Sequence, residues 1–468
     1  MKLTFHGGAK MVTGANYLLE TNDPSAGSGQ ATRILIDCGL NQGSGYCERL
    51  NFEPFPFDPK TIDAVLITHS HIDHIGRLPQ LYKAGFRGSI YSTAPTKDFS
   101  EELLIDSEHL LNKEAEEKKL APIYSLDDVN KTMELWQTVK YHQKFKIGLA
   151  AGGFEIEFYD AGHILGSAFI AVSAEGKRII FSGDLGNVLA PLVKDTEIID
   201  KADYVLIESA YGGRIHEDLE ARKEILEDLI EETIKAGGVL MIPAFAMERT
   251  QELLYELNEL VENNRIPKAP IFVDSPLAIK LTSAYKKYSQ DSDYFDQEAL
   301  STLRKGDAIF DFPGLRLTLT TEQSKEINDV LPPKIIIAGS GMSQGGRILH
   351  HEYRYLSDPK NTILFIGYQT QGSLGRRILD GVKTGQPFSV KIFGEEIPVR
   401  CKVKAIGGYS AHADQPKLLN WLRPMRLNLK KVFIVQGEED QMVLLARKIR
   451  DELAIDAAMP LKGEEYVL

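Results

Sequence analysis

The chain has 468 residues, and 54 lysines and arginines against 66 aspartates and glutamates leave a formal net charge of −12, which excludes a polybasic nucleic-acid binder of the histone kind. At about 100 to 200 residues per domain the length predicts two or three compact units, and 43% hydrophobic with 26% charged residues excludes a disordered or fibrous chain. No run reaches the roughly 18 consecutive apolar residues of a membrane helix, and MKLTFHGGAK has no apolar run behind a basic segment, so a cytoplasmic protein without a membrane partner is expected.

In chain order, short β-rich runs come first. Strands are predicted over 33–36, 64–68, 154–159, 168–172, 178–182 and 204–208, where β-branched and aromatic residues are bounded by turn residues. Helices predicted over 99–120 and 126–139 interrupt them, and the polar, glycine-containing stretch 21–32 reads as a hairpin loop. After Tyr211-Gly212-Gly213 the pattern becomes a steady alternation: helix 217–235, strand 239–242, helix 248–261, then strands 271–273, 334–338 and 362–366. Apolar strands separated by helices predict a parallel sheet covered on both faces, hence a Rossmann-like domain. From Ser389 short strands return in SVKIFG, IPVRCKVKAI and KVFIVQG, ahead of a helix over 442–453. The expected domains are therefore 1–210 completed by 389–468, with 211–388 as an insertion.

Cys38, Cys47 and Cys401 are odd in number and lack CxxC spacing, which argues against a disulfide framework and a thiolate zinc site. Metal chemistry should then be sought among the histidines. His69-Ser70-His71-Ile72-Asp73-His74 directly follows the apolar strand 64–68. Four such side chains at a strand end can converge on a small volume, and imidazole and carboxylate are the ligands a borderline zinc ion takes. Two further strand ends add Asp160-Ala161-Gly162-His163-Ile164-Leu165-Gly166-Ser167 and Ser182-Gly183-Asp184-Leu185-Gly186. Alone, each would be a structural histidine or a turn aspartate; their joint order after the cluster carries the signal.

Together with Leu35-Ile36-Asp37-Cys38-Gly39-Leu40, these motifs resemble those of the metallo-β-lactamase superfamily. The resemblance implies an α/β fold, the αβ/βα sandwich, with two Zn2+ ions at its edge. On matching positions it implies one zinc held by His69, His71 and His163, the other by Asp73 and His74, and Asp184 between them. Asp37 would orient a ligand from behind. Leu206-Ile207-Glu208-Ser209-Ala210-Tyr211-Gly212 resembles the acidic motif A of the β-CASP branch, and the insertion that follows is where that branch carries its cap domain. The likeness extends through Pro243-Ala244-Phe245-Ala246-Met247-Glu248-Arg249, Val273-Asp274-Ser275-Pro276, Ser340-Gly341-Met342 and Gly345-Gly346-Arg347, and closes with Gly408-Tyr409-Ser410-Ala411-His412-Ala413-Asp414, similar to motif C. A histidine there is the habit of RNA-processing members, whereas DNA-processing members have valine. His412 would supply the remaining ligand of the second zinc, with Glu208 fixing its tautomer.

One departure concerns motif B. Gly367-Tyr368-Gln369-Thr370-Gln371-Gly372-Ser373-Leu374 aligns, but Arg376 and Arg377 stand where the family often offers a histidine as general acid. Arginine stays protonated, so leaving-group protonation would fall to solvent or to another histidine such as His350 or His351. Phosphate contacts are expected from the turn Ser340, Gly341 and Met342, whose N–H groups can cradle oxygens, with Gly346 letting Arg347 approach, and from Arg249, Arg376 and Arg377. The resemblance thus implies a ribonuclease in which a hydroxide bridging two zincs attacks single-stranded RNA, with Asp73, Glu208 and Asp37 as catalytic carboxylates; a homodimer is carried as an expectation. A small-molecule ester or thioester hydrolase and a DNA-directed β-CASP nuclease are the alternatives.

Overall fold

The computed structural model describes residues 1–21, 31–42, 49–148, 152–187, 191–216, 219–304, 309–367, 369–406 and 409–468. Most of the loop expected at 21–32, Cys47, the start of the helix expected from Glu217, Tyr368 and Gly408 lie outside the described residues. The chain divides into two compact units, Met1–Ile215 with His412–Leu468, and His216–Ala411.

The first unit opens with β1 (Lys2–Phe5), β2 (Tyr17–Glu20), β3 (Arg33–Ile36), β4 (Ala64–Leu66), β5 (Ser89–Ser92) and β6 (Trp136–Thr138). They form one sheet in that order, antiparallel up to β3 and parallel from β3 onward. A second sheet holds β7 (Phe145–Ile147), β8 (Phe154–Asp160), β9 (Ala168–Ala174), β10 (Lys177–Phe181) and β11 (Tyr204–Glu208). β8 reads alternately buried and half-buried along its length, as a strand with one face in a core should.

The second unit carries β12 (Val239–Pro243), β13 (Ile271–Asp274), β14 (Leu315–Leu317), β15 (Lys334–Ala338), β16 (Thr362–Phe365), β17 (Ser389–Ile392), β18 (Glu395–Pro398) and β19 (Lys402–Ala405). Six of them make a parallel sheet in the order β14-β13-β15-β12-β16-β19, and β17 with β18 is a separate hairpin. The chain then returns to the first unit as β20 (Lys431–Val435), β21 (Ala457–Ala458) and β22 (Glu465–Val467). β20 pairs in parallel with β11 and extends the second sheet, while β22 pairs with β1 at the edge of the first.

Two expectations need correction. The return to the first unit falls at His412, not Ser389, because β19 pairs in register with β16, Thr362 opposite Lys402 through Phe365 opposite Ala405. The helix expected over 126–139 stops at Glu134. Trp136–Thr138 instead pairs with β5, since Trp and Thr suit a pleated, half-buried surface better than a helix turn.

The two sheets of the first unit share one core. Leu3, Phe5, Ile34 and Ile36 of the first pack with Ile156, Phe158, Ile170, Val172 and Ile179 of the second. Behind the second sheet, Phe169, Ile180, Val205 and Ile207 meet Leu418 and Trp421 of the helix Gln415–Leu422 and Met442 and Leu445 of Glu439–Lys448. No helix among the described residues is long and apolar enough to cross a membrane. Phe433 of β20 sits between Phe5 and Tyr466, ring centroids 5.4 and 4.7 Å away. Phe433→Ala should therefore cost about 3–5 kcal/mol, read by urea unfolding, which tests whether the C-terminal segment is integral to the first unit.

Candidate metal centre and phosphate loop

β4 ends at Leu66, and the chain turns through Ile67–Thr68 into His69, with His71 at the N-cap of a one-turn helix, Ile72–Ile75. Asp37, just past β3, binds this turn twice: its carboxylate accepts from the Thr68 amide and hydroxyl, both at 2.8 Å. The same carboxylate lies 2.7 Å from His74 Nδ1, so His74 presents Nε2 inward. His69 is braced through Nδ1 by the Thr68 hydroxyl at 3.1 Å and also presents Nε2. His163 comes from the turn after β8 and Asp184 from the turn after β10. Gly183 takes φ +52, and a Cβ on it would lie 2.6 Å from Thr68. A Cβ on Gly186 would lie 1.7 Å from the Gly162 carbonyl oxygen. These close backbone approaches bring the two turns to the histidine cluster.

The lone-pair atoms of His69, His71, His163 and Asp184 all lie within 4.8 Å of one another. His71 Nδ1 is 3.0 Å from His69 Nε2 and 3.2 Å from His163 Nε2. Asp184 faces both halves of the cluster: Oδ2 is 3.4 Å from His69 Nε2 and 3.6 Å from His163 Nε2, and Oδ1 is 3.5 Å from His74 Nε2. Asp73 reaches 4.0 Å from His74 Nε2 and is the more open carboxylate. Burial holds the rings of His69, His71 and His163 below the usual imidazole range, His71 and His163 well below it. Neutral imidazoles crowded lone pair to lone pair, with a buried carboxylate beside them, are a donor set suited to a divalent cation.

Glu208 ends β11 and accepts the Leu185 amide at 2.7 Å. His412 Nδ1 lies 3.2 Å from both Glu208 oxygens and 3.8 Å from Asp184 Oδ2. Burial works against a charged His412, but Glu208 and Asp184 carry it up to about 9, so cation uptake there displaces a proton. The helix Gln415–Leu422 is capped by Asp414, whose carboxylate accepts from the Lys417 amide, so His412 has no capping duty. Cys38 is buried beside Asp37, with its thiol pushed up to about 12 by burial. Thr68, which joins Asp37 to His69, and Gln436, which touches Asp184, lie outside the motifs read from the sequence.

In the second unit the motifs leave the C-terminal ends of adjacent parallel strands: 244–249 after β12, Asp274 on β13, 339–347 after β15 and Gly367 after β16. Such an edge is where open α/β sheets take ligands. Cβ atoms at Gly341 and Gly367 would lie 2.6 and 2.9 Å from the Phe245 ring, so both loops close on it. Gly346 has φ +73, and its Cβ would meet the Gly339 carbonyl at 2.4 Å; the glycine closes the loop rather than admitting Arg347. The Ser340 amide donates to Gly345 O, whereas no backbone acceptor among the described residues takes the Gly341 or Met342 amide.

The expected grip of Arg249 and Arg347 on phosphate is corrected. Arg249 is buried, paired with Glu252 and donating to the Tyr409 carbonyl. Arg347 donates to Asp274 at 2.8 Å and to the carbonyls of Thr318 and Leu319. Burial would raise Asp274, but His351, Thr318, Ser324 and Arg347 hold it at about 2. His351 is thereby committed to Asp274, and His350 lies against Phe393. Arg376 pairs with Asp380 on the surface of the helix Leu374–Lys383, and Arg377 is exposed there.

Residues 28–205 match the family model of the metallo-beta-lactamase superfamily domain, 250–378 the Beta-Casp domain, and 396–460 the Zn-dependent metallo-hydrolase RNA specificity domain. A protein named as a ribonuclease from Thermus thermophilus is 38% identical, covering 100% of this chain and 98% of its own length. An RNase J-like protein of Methanocaldococcus jannaschii is 33% identical, covering 98% of each. The transcription termination factor FttA of Methanosarcina mazei is 30% identical over 97% of this chain and 70% of its own. A solved structure from Enterococcus faecalis, of a protein of unknown function, shares the fold at a TM-score of 0.53 and 11% identity, covering 100% and 99% of the two chains. The chain belongs to the β-CASP family of the metallo-β-lactamase superfamily. It is a metal-dependent hydrolase of that nuclease family.

The loop 339–347 has its own buried anchor. Ser343 is hydrogen-bonded to Glu352, which burial pushes up to about 8. A carboxyl raised from about 4.5 stabilises the fold fully below that value, and the contribution is lost as pH rises toward 8. Urea unfolding should show Glu352→Gln removing a loss on the order of 1 kcal/mol per pH unit between about pH 5 and 8.

Proposed function

We propose that the chain is a ribonuclease that hydrolyses phosphodiester bonds of single-stranded RNA with two zinc ions. The observation that carries the reading is the convergence of His69, His71 and His163 on one oxygen of Asp184 while His74 faces the other. One ion would be held by His69, His71, His163 and Asp184, the other by Asp73, His74, Asp184 and His412. Bound zinc supplies an acidified water and takes up charge on the phosphoryl oxygens.

The chain's own residues set the geometry. Asp37 holds His74 through Nδ1 and Glu208 holds His412 through Nδ1, so each carboxylate sets the orientation of its ring. Asp73, less buried than Asp184, is placed to accept a proton from the attacking water. The amides of Gly341 and Met342 are left to bind phosphate oxygens. Leaving-group protonation falls to solvent, because Arg376 and Arg377 keep their protons. RNA rather than DNA is favoured by a histidine at 412 and by relatives named as ribonucleases.

Zinc-loaded protein should cut internally and 5′-labelled RNA, and product lengths over time would separate endonucleolytic from 5′-to-3′ cleavage. Asp73→Ala should lose about 10²–10⁴-fold in rate and His71→Ala should abolish cleavage, both with unchanged circular dichroism. Cleavage retained by metal-stripped protein would sink the proposal. Turnover of a generic thioester but not of RNA would favour a small-molecule hydrolase, and equal cleavage of single-stranded DNA a DNA-directed enzyme.

A further inference from the structure

Gln436 follows β20 and belongs to none of the motifs above. Its backbone takes φ +51, a left-handed conformation that costs a non-glycine residue roughly 1–2 kcal/mol. The surrounding structure imposes it. The Gln436 amide donates to Gly8 O at 2.7 Å, and the side chain is buried. A Cβ on Gly8 would lie 2.3 Å from the Tyr17 hydroxyl and 3.2 Å from Gln436 Cγ, so a glycine there makes room for the pair. Strain, burial and a cleared space all aim one neutral side chain at the metal centre.

Its contacts there are specific. Gln436 Nε2 lies 2.7 Å from Asp184 Oδ1 and 3.0 Å from His74 Nε2. The buried Tyr17 hydroxyl donates to Gln436 Oε1 at 3.2 Å, and the acceptor-only Asp184 carboxylate on the other side keeps the NH₂ toward the centre. His74 Nδ1 is already engaged by Asp37. Hence the lone pairs that His74 and Asp184 Oδ1 would offer a cation converge on an amide nitrogen, which has protons to give and no lone pair to share. Amide and cation compete for the same two atoms. The other half of the centre is different: His69 Nε2, His71 Nδ1, His163 Nε2 and Asp184 Oδ2 face one another, with the His412 ring at the edge, 3.8 Å from Asp184 Oδ2, and Gln436 makes no hydrogen bond to them among the described residues.

We infer that Gln436 makes the two halves unequal. The half built on His69, His71, His163 and Asp184 Oδ2 takes a divalent cation first and tightly, whereas uptake at His74 and Asp184 Oδ1 requires the Gln436 amide to withdraw and is weaker. The inference rests on the two-zinc reading above. Gln436 acts as a positioning residue that sets how many ions the centre carries at a given zinc concentration.

Zinc titration of the metal-stripped full chain, by calorimetry and by competition with a chromogenic chelator, tests this without an activity assay. The wild type should show a tight step and a second step at least about tenfold weaker, or no second step within range. Gln436→Ala should strengthen or create the second step by about tenfold and leave the first unchanged. Tyr17→Phe should move the second step in the same direction by less. Gln436→Asn, too short to reach both acceptors, serves where the alanine variant fails to fold. Two equal steps in the wild type, or a second step unmoved in folded Gln436→Ala, would overturn the inference alone. Absence of any tight zinc step in the wild type would overturn the two-zinc reading instead.

Discussion

The constraint on which the first unit depends is the burial of Asp184. Burial would raise its carboxyl, yet His74, His69 and His412 hold it well below the ordinary range. An ionised carboxylate out of water is tolerable only beside matched charge and donors. The elements around it supply them: the turn after β4 brings His69 and His74, the turn after β8 His163, the end of β20 the Gln436 amide, and the segment that re-enters at His412 a further imidazole. The isolated bridge between Gly186 and His412 ties the carboxylate's own turn to a histidine more than two hundred residues away in sequence. The second chain segment must therefore return before the centre is complete.

Close backbone approach is the means by which that charge is concentrated. A Cβ on Gly39 would fall 1.5 Å from the Asp73 carbonyl oxygen, and one on Gly186 1.7 Å from that of Gly162. Side chains at these positions would push apart the turns that carry Asp37, Asp73, His163 and Asp184. The glycines are thus as much part of the centre as the histidines and carboxylates beside them, and their cost in unfolded-state entropy is offset by what they allow to converge.

What the sequence discloses follows from how local each signal is. The residues that the structure brings together at the centre were legible because they sit in short motifs at strand ends, where residue type and spacing alone limit the chemistry. The strands 33–36, 204–208 and 334–338 were legible because buried strands read as dense apolar runs. The segment 136–139 was misread because only its pairing with β5, distant in sequence, separates strand from helix there. The boundary at 411 was missed for the same reason, since β19 declares its unit only through β16. Arg249 and Arg347 were misplaced because a surface arginine and a buried ion-paired one look identical in one dimension. Gln436 gave no signal at all: a glutamine after a strand is unremarkable until the Tyr17 hydroxyl and the Asp184 carboxylate are placed on either side of it.

The net charge of −12 takes a different meaning once the cations are located. Arg222 is buried against Glu256, Arg249 against Glu252, and Arg347 on Asp274, so these arginines neutralise internal carboxylates and cannot form an outward fork for a polyanion. Under the ribonuclease reading, phosphate recognition then falls to uncharged backbone N–H groups at the Gly341–Met342 turn and to the cations of the centre, both confined to small sites. Contacts of that kind depend on geometry more than on long-range attraction. A chain of net charge −12 is compatible with such contacts, because they do not draw on a basic surface.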